Sequence, residues 1–240
     1  ASSVVEDEDP GVLLDEPAAS VRALVPSAAN GGDALAIAAW TGLDAPPNIA
    51  QWKLGNTPVA FEASPGDYAD LIGLDVTEMW PRNAPCYIRI PFSITDEQTL
   101  AAIGTLSLEM KYDDGFVAYL NGTKVAERNA PANLTWTSAG TASNDDEDAV
   151  VFEPIDISAH REALKIGPNL LAIHGLNESS GSSDFLISAR ITCLSASSNG
   201  IAAGSKLYTE PFAPPVGGLV RSRALDGSNW SALSEVFFSS

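Results

Sequence analysis

Histidine, cysteine and methionine each occur only twice in these 240 residues, and basic side chains are scarce, 13 against 31 acidic ones. Two histidines and two cysteines lack the four-ligand spacing of a structural zinc site. The formal charge of -18 opposes the counterion release that drives nucleic-acid binding, and it repels anionic lipid surfaces. No apolar run approaches the ~18 to 20 residues that cross a bilayer as a helix. Neither nucleic acid nor membrane insertion is therefore expected. The chain also has no GxSxG elbow, HExxH, Walker loop or dinucleotide fingerprint, and neither His160 nor His174 sits in a recognisable catalytic motif. The expectation is that this is not an enzyme.

What the chain does have is 45% hydrophobic residues against 18% charged ones, the balance of a folded protein. Residues 106–128, LSLEMKYDDGFVAYLNGTKVAER, carry the clearest pattern. Leu106, Leu108, Met110 and Tyr112 alternate with Ser107, Glu109 and Lys111, the period of a half-buried strand. A turn is expected at Asp113-Asp114-Gly115, with the glycine at positive φ. Residues 116–120 then form a nearly continuous apolar run, as in a strand covered on both faces. Asn121-Gly122 suits a type I′ hairpin turn, and residues 123–128 return as the partner strand.

Further strands are expected at 21–25, 34–40, 86–94, 105–112, 149–155, 170–174 and 185–194. A single short helix is expected at 158–165, stopped by Gly167-Pro168. Short strands with polar turns favour an all-β, antiparallel two-sheet β sandwich. The organisation expected is an acidic N-terminal extension over 1–20, a sandwich domain over 21–195, and a linker plus C-terminal β hairpin over 196–240. The chain opens at Ala1-Ser2-Ser3 with no Met or signal segment and is expected to be a processed or excised product.

Cys86 shares its strand face with Ile88, Ile90, Phe92 and Ile94, and Cys193 shares parity with Phe185, Ile187 and Ile191. Both sulfurs are expected to face the core, either as a disulfide or as two buried thiols.

Four phrases, GDYADLIGLDV (66–76), CYIRIPFSI (86–94), YDDGFVAYLNGTKVAERNAP (112–131) and LLAIHGLNESSGSSDFLI (170–187), together carry a resemblance. They resemble galactose-binding-like jelly-roll modules of large secreted bacterial proteins, planctomycete-type ones in particular. Residues 220–238 resemble the closing strands of fibronectin-like or chitobiase C-terminal-like modules. The resemblance implies a sandwich of about eight core strands, commonly stabilised by calcium, with ligands at the loop ends of those members that bind sugar.

Asp113-Asp114 reads first as a turn device, because Asp side chains satisfy local backbone N–H groups. Neighbouring residues on a strand point to opposite faces, which argues against a hydrolytic pair. A sugar site needs planar polar groups and an aromatic face, and the candidates are Asp114, Arg128, Asn129, Trp136, His174, Asn177 and Asp184. Trp80 is a second candidate platform, and His174 also reads as a structural core histidine. Oxygen ligands for a structural calcium are offered by Asp67, Asp70, Asp145, Asp146 and Asp148, although the 144–148 run lacks EF-hand spacing and also reads as a solvated loop. Asn177 and Asp184 suit a metal or a sugar hydroxyl.

The sequence thus points to a non-catalytic, carbohydrate-binding-type module, secreted or attached to the cell surface, with a glycan or polysaccharide as partner. A second reading is a structural subunit of an extracellular fibre or surface layer. Its terminal strands, within 4–24 or 219–238, would pair with copies of itself.

Overall fold

The computed structural model describes residues 11–63, 66 and 68–194 in full, together with the backbone of residue 195 and of four short strands between 219 and 237. The chain divides into two units, Ala1–Gly204 and Ser205–Ser240. In the first, strands run β1 (Gly11–Leu14), β2 (Val21–Leu24), β3 (Lys53–Gly55), β4 (Val59–Glu62), β5 (Leu74–Asp75) and β6 (Pro85–Ile94). After these come β7 (Ile103–Asp113), β8 (Gly115–Leu120), β9 (Thr123–Arg128), β10 (Glu153–Asp156), β11 (Gly167–Leu176) and β12 (Asp184–Ser195). Three short α-helices intervene: α1 (Ile37–Thr41), α2 (Glu97–Ala102) and α3 (Asp146–Ala149).

The strands form two sheets of a β sandwich. One has the order β10-β7-β12-β4-β5, with β1 also on β12; the other has the order β3-β2-β6-β11-β8-β9. All their pairings are antiparallel except β4 with β5. Between the sheets lie the alternating residues of both inner faces, among them Ile88, Ile90, Leu108, Met110, Phe116, Ile173, Phe185 and Ile187. Each such side chain contributes roughly 1.5–3 kcal/mol by leaving water.

The second sheet is covered on its outer face as well. Trp40, Trp52, Tyr87 and Tyr119 form a separate apolar cluster there, with Trp40 stacked on Tyr87 at 4.5 Å. This double burial explains why β8 reads as an unbroken apolar run. Residues 34–40, expected as a strand, instead lead into α1: the Ala-rich segment favours helix, and the turn delivers Trp40 onto the sheet. Arg89, buried on the same face, fixes the segment after α1 by donating to the carbonyls of Trp40, Gly42, Leu43 and Asp44.

Other expectations shift in detail. Residues 149–155 divide between the end of α3 and β10, and residues 158–163 wind as a 3₁₀ turn rather than an α-helix. Part of the segment expected as an extension belongs to the sheet, since Gly11–Leu14 pairs with β12. Asn121 (φ 49°) and Gly122 (φ 89°) make the β8–β9 turn as expected.

Both cysteines are free thiols. Cys86 pairs with Gly175, beside the end of the sandwich where Asp114 N–H meets the Leu176 carbonyl. Cys193 lies seven residues along β12 from Leu186, which pairs with Asp113 at that same end. At ~3.3 Å per residue the two sulfurs are on the order of 20 Å apart along the strands, far beyond disulfide reach.

In the second unit, β13 (Leu219–Ser222) pairs with β16 (Ser234–Phe237), and β14 (Leu225–Asp226) pairs with β15 (Asn229–Trp230). This is the expected C-terminal hairpin.

Candidate metal centre

β7 and β8 are consecutive, yet they belong to different sheets: Asp113 pairs with Leu186 in one and Gly115 with Leu176 in the other. Asp113-Asp114-Gly115 is therefore a corner between sheets, not the hairpin turn the sequence suggests, and it sits where the two sheets meet. The Asp113–Asp114 peptide is cis. Gly115 is required by close approach rather than by positive φ, since a Cβ there would lie 2.8 Å from the Arg128 carbonyl oxygen.

Alternation along β7 sends Leu108, Met110 and Tyr112 inward and Asp113 outward, onto the outer face of its sheet. Asp184, at the start of β12, shares that face, and α3 lays Asp146 over it. Tyr68 and Ala149 pack with Ala60 and Leu186 to hold α3 in place, and the Tyr68 hydroxyl donates to Asp146 Oδ1 at 3.3 Å. One carboxylate oxygen from each of Asp113, Asp146 and Asp184 lies within 4.8 Å of the others. Asp113 is only 2% exposed, and its Oδ2 has no hydrogen-bond partner among the described residues.

The electrostatics follow from that crowding. Burial, then the neighbouring Asp114, Asp184 and Asp146 carboxylates, pushes the Asp113 carboxyl up to about 9. Asp184 is also raised, by burial first and by Asp146, Glu62 and Asp114 next. The Tyr68 hydroxyl is held well above its ordinary range by burial and the same carboxylates. A buried, unpartnered carboxylate oxygen among like charges is costly. A hard cation with oxygen ligands removes that cost, and three carboxylates suit it. The residues present therefore fit a metal. They line a hollow of about 610 Å³ that eight carboxylates face, those of Asp113, Asp114, residues 145–148, Glu178 and Asp184.

The candidates from sequence are brought together at this end of the sandwich, but several are spent on architecture. Asp114 accepts from Asn144 N–H at 3.1 Å and Glu178 N–H at 2.7 Å, so both its oxygens fasten loops. Asn129 Nδ2 donates to the Asp114 carbonyl, and Asn177, buried, donates to the Asp184 carbonyl at 2.6 Å. Arg128 grips Glu153 Oε1 through Nε and a terminal nitrogen at 2.8 and 2.6 Å. Each of these four is tied into the loops by the bonds named, while Asn177 Oδ1 has no hydrogen-bond partner among the described residues.

His174 is buried against Trp40 and Tyr87 on the outer face of the other sheet, with no hydrogen-bond partner for either ring nitrogen among the described residues. Trp136 remains exposed on the 130–145 loop that leads into the hollow, and Trp80 is exposed too. Of the metal candidates, Asp146 enters the triad, and Asp145 and Asp148 line the hollow without joining it. Asp70 is exposed on a 3₁₀ turn outside the triad, and Asp67 lies outside the described residues. Asp184, read as suiting a metal or a sugar hydroxyl, is the third member of the triad. Asp113 and Tyr68 are the residues sequence reasoning missed. A signal existed for Asp113: a half-exposed strand meets a doubly buried one across DDG, as at a change of sheet.

No protein-family model matches the sequence, and no curated protein matches it. Among solved structures the chain is similar to Bacteroides uniformis beta-glucuronidase 2 covalently bound to cyclophellitol-6-carboxylate aziridine, at 14% identity and TM-score 0.44, covering 86% of this chain and 20% of that one. It is similar to a Bacteroides uniformis beta-glucuronidase at 13% identity and TM-score 0.45, with the same coverages. An uncultured Clostridium sp. beta-glucuronidase matches at 9% identity and TM-score 0.43 over 95% of this chain and 33% of that chain. The chain thus spans a fifth to a third of the length of these structures.

Proposed function

We propose that this chain is a non-catalytic, secreted or surface-attached carbohydrate-binding module with a calcium ion held between Asp113, Asp146 and Asp184. The observation that carries the reading is the convergence of three carboxylate oxygens within 4.8 Å of one another, together with a buried Asp113 Oδ2 that has no hydrogen-bond partner among the described residues. Calcium takes 6–8 oxygen ligands, so three side chains leave positions for hydroxyl oxygens of a glycan entering the adjoining hollow. Once bound, the ion supplies positive charge that orients those hydroxyls. Asp114 fixes the two loops on either side, and Tyr68 orients Asp146. Binding is favoured over hydrolysis because Asp113, the most buried carboxyl of the triad, would be taken up in holding the ion and not left free as a general acid.

The assembly reading receives no support from the N-terminal strands. β1 is consumed by β12 of its own chain, and β2 lies between β3 and β6.

The test is calorimetric titration of calcium into EDTA-stripped protein, followed by glycan-array binding with calcium and with EDTA. Calcium is expected to bind the wild type and to lose at least tenfold in affinity in Asp146→Asn, with glycan binding only in calcium. Equal calcium binding by the wild type, Asp146→Asn and Asp184→Asn would remove the site.

A further inference from the structure

We infer that a second, smaller hollow beside the acidic one is a sugar-ring subsite, which takes a neutral hexopyranose while vicinal hydroxyls of the same sugar reach the carboxylate triad. The inference rests on the glycan reading above and adds to it the place and charge class of the ring.

The hollow measures about 260 Å³ and is lined by Tyr112, Asn144, Asp148, Val151, Phe152 and Glu153. Asn144 and Asp148 also line the acidic hollow, so the two share a wall. Its apolar part is unusual for so acidic a surface. Val151 is 61% exposed, the most exposed large hydrophobic among the described residues. Phe152 beside it is fixed by Lys111 and Arg190, each 4.5 Å from the ring centroid. Tyr112 stands edge-on to Phe116 at 4.9 Å.

The polar part is equally fixed. Tyr112 donates to Glu153 Oε2 at 2.6 Å while Arg128 holds Oε1, and Asn144 Nδ2 donates to the Tyr112 carbonyl at 2.7 Å. Little side-chain freedom is left to lose on binding. An apolar wall with a few placed oxygen acceptors matches a pyranose, which offers C–H faces and hydroxyl donors at its rim.

Charge selects among pyranoses. Glu153 is already neutralised by Arg128, and no arginine or lysine lines the hollow to receive an anion. Asp148 and the seven other carboxylates of the shared hollow oppose a uronate or sulfate. A neutral ring meets no such opposition.

The experiment is calorimetry on the whole chain in calcium, using methyl glycosides of glucose, galactose and mannose and the corresponding methyl uronates as probes. Val151→Asp is the variant, since an exposed position tolerates the change, and its calcium affinity and melting temperature are read alongside. A neutral glycoside is expected to bind the wild type, to bind Val151→Asp about tenfold or more weakly, and to be preferred over every uronate, with calcium binding unchanged. A neutral glycoside binding both proteins equally, or a uronate binding best, overturns the subsite and leaves the calcium-dependent glycan reading standing. No glycoside binding to calcium-loaded wild type overturns both.

Discussion

Asp113 and Asp114 are adjacent in the chain and carry opposite loads: Asp114 spends both carboxylate oxygens on the N–H groups of Asn144 and Glu178, whereas Asp113 Oδ2 has no partner among the described residues. One residue builds the loops and the other faces what the loops enclose. The division comes from the corner between sheets, which turns the two side chains apart.

Replacing Asp114 should therefore damage the site without touching the triad. Asp114→Ala removes two charge-assisted hydrogen bonds from the Asn144 and Glu178 backbone N–H groups, a loss of about 2–4 kcal/mol. Urea unfolding measures the loss. Calcium affinity should fall with it, because Asp146 and Asp184 are carried by the loops that Asp114 ties down.

The raised Asp113 carboxyl gives the metal-free protein a pH dependence of defined sign. Its folded value, about 9, lies above the ordinary carboxylate range, so the folded state holds a proton that the unfolded chain has released. The stabilisation from this group is complete below about pH 4 and is lost as pH rises towards 9, at no more than about 1.4 kcal/mol per pH unit. In EDTA, wild type should lose stability between pH 5 and 8 relative to Asp113→Asn. The same slope in both proteins would contradict the assignment.

His174 acts in the opposite direction. Burial pushes its imidazole down to about 3, so the unfolded chain takes up a proton near pH 6.5 that the folded one refuses. Stability from this group is present above pH 6.5 and falls as pH drops towards 3, again by up to about 1.4 kcal/mol per unit. Denaturant midpoints of wild type and His174→Phe at pH 4.5 and 7.5 separate this contribution from that of the carboxylates.

The free thiols make a simple prediction. The intact mass should be that of two reduced cysteines, and reductant should leave the unfolding midpoint unchanged. Cys86, fully buried and with its thiol pushed up by that burial, should react with a thiol reagent only after unfolding. A mass two protons lighter that reverts on reduction would contradict the separation of the cysteines along the sandwich.

Much of the architecture was legible in the sequence because it is written in short-range patterns. The alternation of β7, the Asn121-Gly122 turn and the inward parity of Cys86 with Ile88 and Ile90 each depend on a few neighbouring residues, and each appears as read. Residues 34–40 were misjudged because an apolar Ala-rich stretch fits either a buried strand or a short helix. Only the sheet beneath Trp40 decides between them.

The candidate site divides the same way. Composition alone established an acidic chain, and local motifs marked the strands, the turn and the carboxylates at 145–148 and 184. Which carboxylates face one another was set by the tertiary structure. Asp113, Asp146 and Asp184 come from a strand end, a short helix and the start of another strand, and they meet only because β7 and β8 part into different sheets at Asp114. Sequence periodicity records the face on which a side chain points. The distance between faces arises when the sheets pack.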